Sequence, residues 1–415
     1  MAHKGRRDRR RFKGPWITDK LSIDRGDRIT LELGPHSEIG ETTAMLQDIP
    51  ISVAGGVPGE TVEVEVVRRY PESLATRVLS VENPSSSRVP PPCPHYLECS
   101  GCQFQHVDYK TQLEFKRKRI EETLAEYPET RDAPVLEPLP SPQQFNYRNH
   151  ARFTVRQSGE IGFVNRHTRQ WLRVDQCMLM TDAINGAVAT MQDHIRGVTQ
   201  MSIRAGVNTD DLLIQPRLPN PAIPLDSGGQ HYTEKLMGNT FKVAGSSFFQ
   251  VNSPQAEALA SLIAKRLALS GKETVIDAYA GVGTFAVLLS PSSGRVIAIE
   301  DSNSAVADAR DNARGLSNVE FIESRTEDAM ADIDFPVDAV ILDPPRTGCH
   351  PGTIDAVRRL APARLAMVSC DPPSLARDLA LICEGDAFTI DEVQPVDMFP
   401  QTYHVECVAF LSRSG

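Results

Sequence analysis

What this 415-residue chain lacks narrows the choice first. No apolar run approaches the ~18–20 residues that a bilayer-spanning helix requires, so no membrane association is expected. The N-terminal charges are followed by no apolar stretch of the secretory kind, and a cytoplasmic location is expected. Eight cysteines in a chain of this length are too few for a disulfide scaffold. In a reducing compartment they read as metal ligands, a nucleophile or core filler. No internal repeat of about 20–50 residues is visible, which argues against a solenoid. A net charge of −10 argues against a uniformly basic nucleic-acid binder. With 40% hydrophobic residues there is ample material for real cores. The length suggests about two or three domains.

The charge is unevenly placed. The opening stretch "MAHKGRRDRRRFKG" holds seven Lys or Arg against one Asp, a local +6. Residues 1–16 are therefore a basic arm, either a nucleic-acid contact or a solvated tail. Residues 17–82 hold short runs of alternating apolar and polar residues, "DRITLEL", "ISVAGGVPGETVEVEVVRR" and "LATRVLSVENP", with "GGVPGE" as turn chemistry between two of them. They suggest a small β-barrel of the oligonucleotide-binding kind. "NPSSSRVPPPCP" reads as a linker by composition. Residues 83–245 form a mixed α+β central domain. Within it "YKTQLEFKRKRIEETLAEY" is a helix with a basic middle, and "RNHARFTVRQSGEIGFVNR" is hairpin-like.

From residue 246 the pattern becomes α/β. "SPQAEALASLIAKRLAL" opens with Ser253 as N-cap and a proline at the first helical position. Apolar strands then alternate with helical stretches, the signature of a doubly wound, Rossmann-like parallel sheet whose site lies at the strand C-termini. "DAYAGVGTF" puts Gly281 and Gly283 in the first strand-to-helix turn, without the third glycine that seats a pyrophosphate. Glu300 ends the next strand, where a carboxylate can take both ribose hydroxyls. An adenosyl group lacking phosphates fits, and S-adenosylmethionine is the candidate. Asp343 ends "AVILD" before Pro344, Pro345 and Arg346, a stiff turn at the methyl-donor end. Amine methyltransferases with a similar Asp-Pro-Pro carry an aromatic residue where Arg346 stands, which tilts the reading away from amine methylation.

"MVSCDPPSL" places Cys370 at the end of a later strand of the same sheet. A methyl donor beside a thiol suits methylation at carbon 5 of a pyrimidine. Thiolate addition at carbon 6 makes carbon 5 nucleophilic, and a base then removes the carbon-5 proton so that elimination frees the sulfur. Glu406 in "QTYHVECVAFL" is the chosen base, with His404 and Asp371 as alternatives. Cys93, Cys99 and Cys102 form a C-x5-C-x2-C pattern, and Cys177 can supply a fourth thiolate for zinc or an iron–sulfur cluster. Cys383 and Cys407 are assigned to packing, and Cys349 lies near the site.

Five segments, "SFFQVN", "DAYAGVGTF", "ILDPPRTG", "VSCDPPSLARDL" and "HVECVAFL", in this order resemble the RNA (uracil-C5) methyltransferase family, whose members modify tRNA and 23S rRNA. The resemblance spans nearly the whole chain. It implies Cys370 as nucleophile and Glu406 as base. Gln250, Tyr279, Glu300 and Asp343 would line the S-adenosylmethionine site together with the turn that carries Gly281, Gly283 and Thr284. Thr284 stands where many relatives carry Asn, and Pro373 where Ala is frequent. The resemblance further implies an N-terminal TRAM-type RNA-binding domain, and a 4Fe–4S cluster rather than zinc on Cys93, Cys99, Cys102 and Cys177. The expected substrate is RNA, with 23S rRNA favoured over tRNA, and the expected state is a monomer. A non-catalytic RNA-binding relative is the alternative, which the presence of both Cys370 and Glu406 disfavours.

Overall fold

The structure is a computed structural model that describes residues 16–414. The basic arm, up to residue 15, lies outside the described residues. The chain divides into two compact units, one running up to Asp108 and including Val164–Leu172, the other comprising Tyr109–Phe163 and Arg173 onward.

The first unit is built on β1 (Arg28–Glu32), β2 (Thr42–Leu46), β3 (Ile49–Ala54), β4 (Thr61–Arg69) and β5 (Leu74–Val81). They pair in the order β1-β4-β5-β3-β2, antiparallel except for β3 against β5. The alternation in "TVEVEVV" is the reason β4 is a strand. Val62, Val64 and Val66 are buried with Leu31, Ile51, Val53 and Leu74, while the glutamates between them face outward. The stretch read as a linker is anchored. Arg88 donates to the buried Glu60 carboxylate and to the Gly55 carbonyl, the latter at 2.9 Å.

Most of the short strand β8 (Trp171–Arg173) also belongs to the first unit. The second unit opens with α1 (Tyr109–Leu124), followed by β6 (His150–Val155), β7 (Ile161–Val164), α2 (Asp182–Met191), β9 (Gln200–Ala205) and β10 (Leu212–Gln215). Strands β6, β7, β9 and β10 make a sheet of order β10-β9-β6-β7. A two-stranded hairpin of β11 (His231–Leu236) and β12 (Asn239–Ala244) follows. Then come α3 (Ser253–Arg266), β13 (Thr274–Ala278), α4 (Thr284–Leu289), β14 (Arg295–Glu300), α5 (Asn303–Asn312), β15 (Val319–Glu323) and α6 (Thr326–Ala331). The chain ends with β16 (Ala339–Leu342), α7 (Pro351–Leu360), β17 (Arg364–Ser369), α8 (Pro372–Cys383), β18 (Phe388–Val396) and β19 (Glu406–Arg413).

The last seven strands form one sheet, β15-β14-β13-β16-β17-β19-β18. It is parallel from β15 to β17, with β19 antiparallel to β17 and to β18. Both faces are covered, as expected from near-continuous apolar strands. Ile276, Val340, Leu342 and Met367 pack toward residues of α1, α7 and α8. Val275, Ile341, Ala366 and Val368 pack toward α3 and α4. Among the described residues no helix is long and apolar enough to cross a membrane.

Two local readings shift. The N-cap of α3 is Asn252, not Ser253. Its side chain accepts from the Gln255 N–H, and it donates to Ser141 Oγ at 3.2 Å. Of the four cations in the basic middle of α1, all but Arg119 are ion-paired. Lys116 is 1% exposed and ion-paired with Asp397, Arg117 pairs with Glu121 and Glu137, and Lys118 pairs with Glu122. The helix clamps the segment before β19. Tyr109 Oη donates to Asp397 at 2.7 Å, Gln112 Nε2 to Gln401 at 3.0 Å, and Arg119 to the Tyr403 carbonyl at 3.3 Å.

Candidate active site

The C-terminal ends of β13, β14, β16 and β17 share one edge of the sheet. Because β19 runs antiparallel to β17, its first residue, Glu406, lies at that same edge. The fold thus gathers a strand beginning and four strand ends into one crevice.

The first half of the crevice is the glycine turn after β13. Tyr279, Gly281 and Gly283 have φ of 64°, 55° and 80°. A Cβ on Gly283 would stand 3.3 Å from both Ala309 Cβ and the Phe321 ring, so the helix start must be glycine there. A Cβ on Gly281 would meet nothing within 4 Å, which marks open space over the turn. The Gly281 N–H donates to Glu300 Oε2 at 2.8 Å, and the Ser302 N–H donates to Glu300 Oε1 at 2.9 Å. Each carboxylate oxygen keeps a lone pair after these bonds. A cleft beside the turn is lined by Phe248, Gln250, Tyr279, Gly281, Thr284 and Asp343. Every expected cofactor residue but Glu300 and Gly283 lines this cleft, and those two shape the turn itself. Tyr279 Oη is placed within 3.1 Å of Thr353 Oγ1. Gln250 is buried, and its carbonyl accepts from Asn149 Nδ2 at 3.0 Å.

The second half holds the thiol. Register pairs Ser369 with Cys407, which sets Cys370 across from Glu406. Cys370 is half-buried, not lost in the core. Burial pushes its thiol up to about 11, Glu406 and Asp343 adding to the rise while Arg346 opposes it. Glu406 is buried. Desolvation raises its carboxyl well above the usual range, the Asp343 charge adds to this, and Arg346 opposes it. Burial also raises Asp343, to about 7. Three acidic groups therefore share one poorly solvated edge, and one guanidinium acts on both Cys370 and Glu406. Like charges that cannot all ionise are a mark of acid–base sites.

The alternative bases are engaged in other contacts. Asp371 is the N-cap of α8 and accepts from the Ser374 N–H at 3.1 Å. His404 is held down to about 3 by burial and by the charges of Arg346, Lys116, Arg119 and Arg148. Its Nδ1 lies 3.3 Å from an Arg346 nitrogen and so acts as acceptor. Cys349, Cys383 and Cys407 are buried. Cys407 Sγ donates to the Ser369 carbonyl at 3.3 Å.

Two further residues near the crevice were not assigned roles from sequence. Arg346 stood in the quoted "ILDPPRTG", but only as a sign against amine methylation. Its carbonyl accepts from Ser374 Oγ at 2.6 Å, which pins the turn after β16 to α8. Asp277 lies inside β13. Its Oδ2 accepts from the Ala286 N–H at 2.8 Å, its Oδ1 has no partner among the described residues, and burial lifts it to about 8. The one sequence signal for Asp277 was an acid in an otherwise apolar strand.

Cys93, Cys99, Cys102 and Cys177 are half-buried. Among the described residues no group of three or more His, Cys, Asp or Glu is gathered so as to hold a metal ion. The arrangement therefore gives no support to zinc or to a 4Fe–4S cluster, and no step below runs through either.

Known proteins resemble this chain in sequence and fold. Residues 235–414 match the family model described as tRNA (uracil-5-)-methyltransferase. An uncharacterised RNA methyltransferase of Thermosynechococcus vestitus is 31% identical over 94% of this chain and 99% of its own length. Another, from Gloeobacter violaceus, is 30% identical over 94% of this chain and 97% of its own. The crystal structure of the Pyrococcus abyssi tRNA (uracil-54, C5)-methyltransferase in complex with S-adenosyl-L-homocysteine superposes with a TM-score of 0.73. It is 26% identical and covers 92% of this chain and 100% of that chain. By sequence across its length and by fold, the chain belongs to this family of RNA methyltransferases.

Proposed function

We propose that this protein methylates carbon 5 of a uridine in RNA with S-adenosylmethionine as donor, Cys370 as nucleophile and Glu406 as base. The observation that carries the reading is the meeting of the Cys370 thiol, Arg346 and the buried Glu406 at one sheet edge that also holds the glycine turn. The open space over Gly281 and the fixed Glu300 carboxylate fit an adenosyl group. Gln250, Tyr279, Gly281, Gly283, Thr284, Glu300 and Asp343 would hold it. When bound, the cofactor supplies the electrophilic methyl group.

The chain's own residues do the rest. The half-buried Cys370 gives its proton to solvent and its sulfur bonds to carbon 6 of the ring, the 5,6 electron pair shifting toward the carbon-4 oxygen, which makes carbon 5 electron-rich. Arg346 lowers the cost of the thiolate, since it is the cation that favours ionisation of Cys370. Once carbon 5 carries its methyl group, Glu406 as carboxylate takes the carbon-5 proton. The carbon–sulfur bond then breaks and its electron pair returns to Cys370. Burial helps here, because a carboxylate with raised proton affinity is a stronger base than an exposed one. Reaching the ring requires a base turned out of its stack, which favours loops.

The target is 23S rRNA on the cysteine pattern and the N-terminal β unit. The tRNA reading draws on the Pyrococcus abyssi neighbour, whose substrate is tRNA. Mass mapping of 5-methyluridine in a strain lacking the protein separates them. Loss of one modified position in 23S rRNA supports the first, loss in tRNA the second, and loss in neither overturns the uridine chemistry. The cluster on Cys93, Cys99, Cys102 and Cys177 rests on ligand spacing and resemblance. Iron and acid-labile sulfide assayed in anaerobically purified protein decide it.

A further inference from the structure

In a chain of net charge −10, cations without a carboxylate partner mark where an outside anion is expected. Lys110, Lys116, Arg117 and Lys118 of α1 each have one. Strands β6 and β9 differ. Their register sets His150 against Arg204 and Arg152 against Ser202. Ala151, Phe153, Met201 and Ile203 point into the core, so His150, Arg152, Ser202 and Arg204 share the opposite face.

This face is cationic. The charged groups acting on His150 are Arg204, Arg148 and Arg152, with no carboxylate among them. Arg148 acts on His404 as well, alongside Arg346 and Arg119. Arg148 Nε donates to the His150 carbonyl at 3.0 Å beside that face, and Arg119 donates to the Tyr403 carbonyl at 3.3 Å, three residues before Glu406. Arg152 is exposed, and Arg148 and Arg119 are half-buried. None of these three forms an ion pair among the described residues. Arg204 is spent internally, donating to the Ser247 carbonyl at 2.8 Å.

We propose that Arg152, Arg148 and Arg119 form a strip that holds phosphates of the RNA strand flanking the target base as it enters the Cys370–Glu406 crevice. Guanidinium forks match phosphate oxygens, and a base turned out of its stack brings its neighbouring phosphates to the mouth of the crevice. The inference rests on the reading of the crevice as an RNA uridine site, and it names the surface the strand follows.

The test is fluorescence anisotropy of labelled oligouridine on S-adenosylhomocysteine-saturated protein over a salt series. Arg152→Gln and Arg119→Gln are each expected to weaken binding about five-fold and to flatten the slope of log affinity against log salt by about 0.7. Lys118→Gln, on the paired face of α1, is expected to leave both unchanged. Wild-type affinity and slope in the two arginine variants, or an equal loss in Lys118→Gln, overturns the strip. If the arginine variants lose affinity while the wild-type protein methylates no RNA, the strip stands and the uridine chemistry falls.

Discussion

The two halves of the crevice solve opposite electrostatic problems. At the cofactor half, the Glu300 carboxylate accepts from two backbone N–H donors. Its position is fixed by the turn. At the reaction half, Cys370, Asp343 and Glu406 crowd a desolvated edge with Arg346 as the cation that opposes all of this on the thiol and the base. Binding wants groups whose protonation does not change, while proton transfer wants groups poised between states. One sheet edge supplies both because backbone donors are available at a helix start and scarce where β17 and β19 pair.

The comparison breaks most directly at the thiol. Cys370→Ala is expected to abolish methylation, a loss of at least about 10⁴-fold, with S-adenosylhomocysteine affinity in calorimetry unchanged. A variant that loses cofactor binding as well would join the two halves into one. Glu406→Gln is expected to lower turnover about 10²–10⁴-fold and to accumulate a protein–RNA adduct on denaturing gels, because the proton that must leave has no acceptor. The same variant removes a neighbour that raises the thiol, so alkylation of Cys370 by iodoacetamide should begin at lower pH than in the wild type. Glu300→Ala is expected to weaken cofactor binding about 10–100-fold, the scale of lost charged hydrogen bonds, while Cys370 alkylation keeps its pH profile.

Arg346→Gln sharpens the reaction half. Removing the cation raises a thiol already near 11, so the rising limb of rate against pH should move to higher pH, with about 10-fold lower rate at neutrality. An unmoved limb would separate Arg346 from the thiolate. The smallest effect is on stability. Asp277 is lifted to about 8 when folded, so its neutral form is favoured and stability falls as pH rises from its unfolded range through that value. Asp277→Asn should flatten the decline of Tm across that window. A curve parallel to the wild type would show that another group carries the decline.

Much of the site was legible because its parts sit at strand ends, and strand ends can be found from apolar runs broken by Gly, Pro and acids. The glycine turn, Glu300, Asp343 and Cys370 were all located that way. Asp371 illustrates where such reading stops. Beside the thiol in sequence, it looked able to act as a base, yet the start of α8 uses it as a cap. Helix α1 illustrates the same limit for charge. "KRKR" reads as one basic run, but Lys116 is buried against Asp397, a residue 281 positions away. Arg148 and Arg152, in a segment read only as a hairpin, are among the cations that form no ion pair among the described residues.

Periodicity and turn chemistry by themselves determined the doubly wound sheet, the order of its strands along the chain and the turn where an adenosyl group can lie. These are local properties, set by side chains within a few positions of one another. Which charges are cancelled, which acids stay protonated and which carboxylate faces the thiol were decided only in the tertiary structure. Desolvation and Coulomb energy depend on neighbours that distant segments bring together, and the antiparallel return of β19 is what carries Glu406 to Cys370.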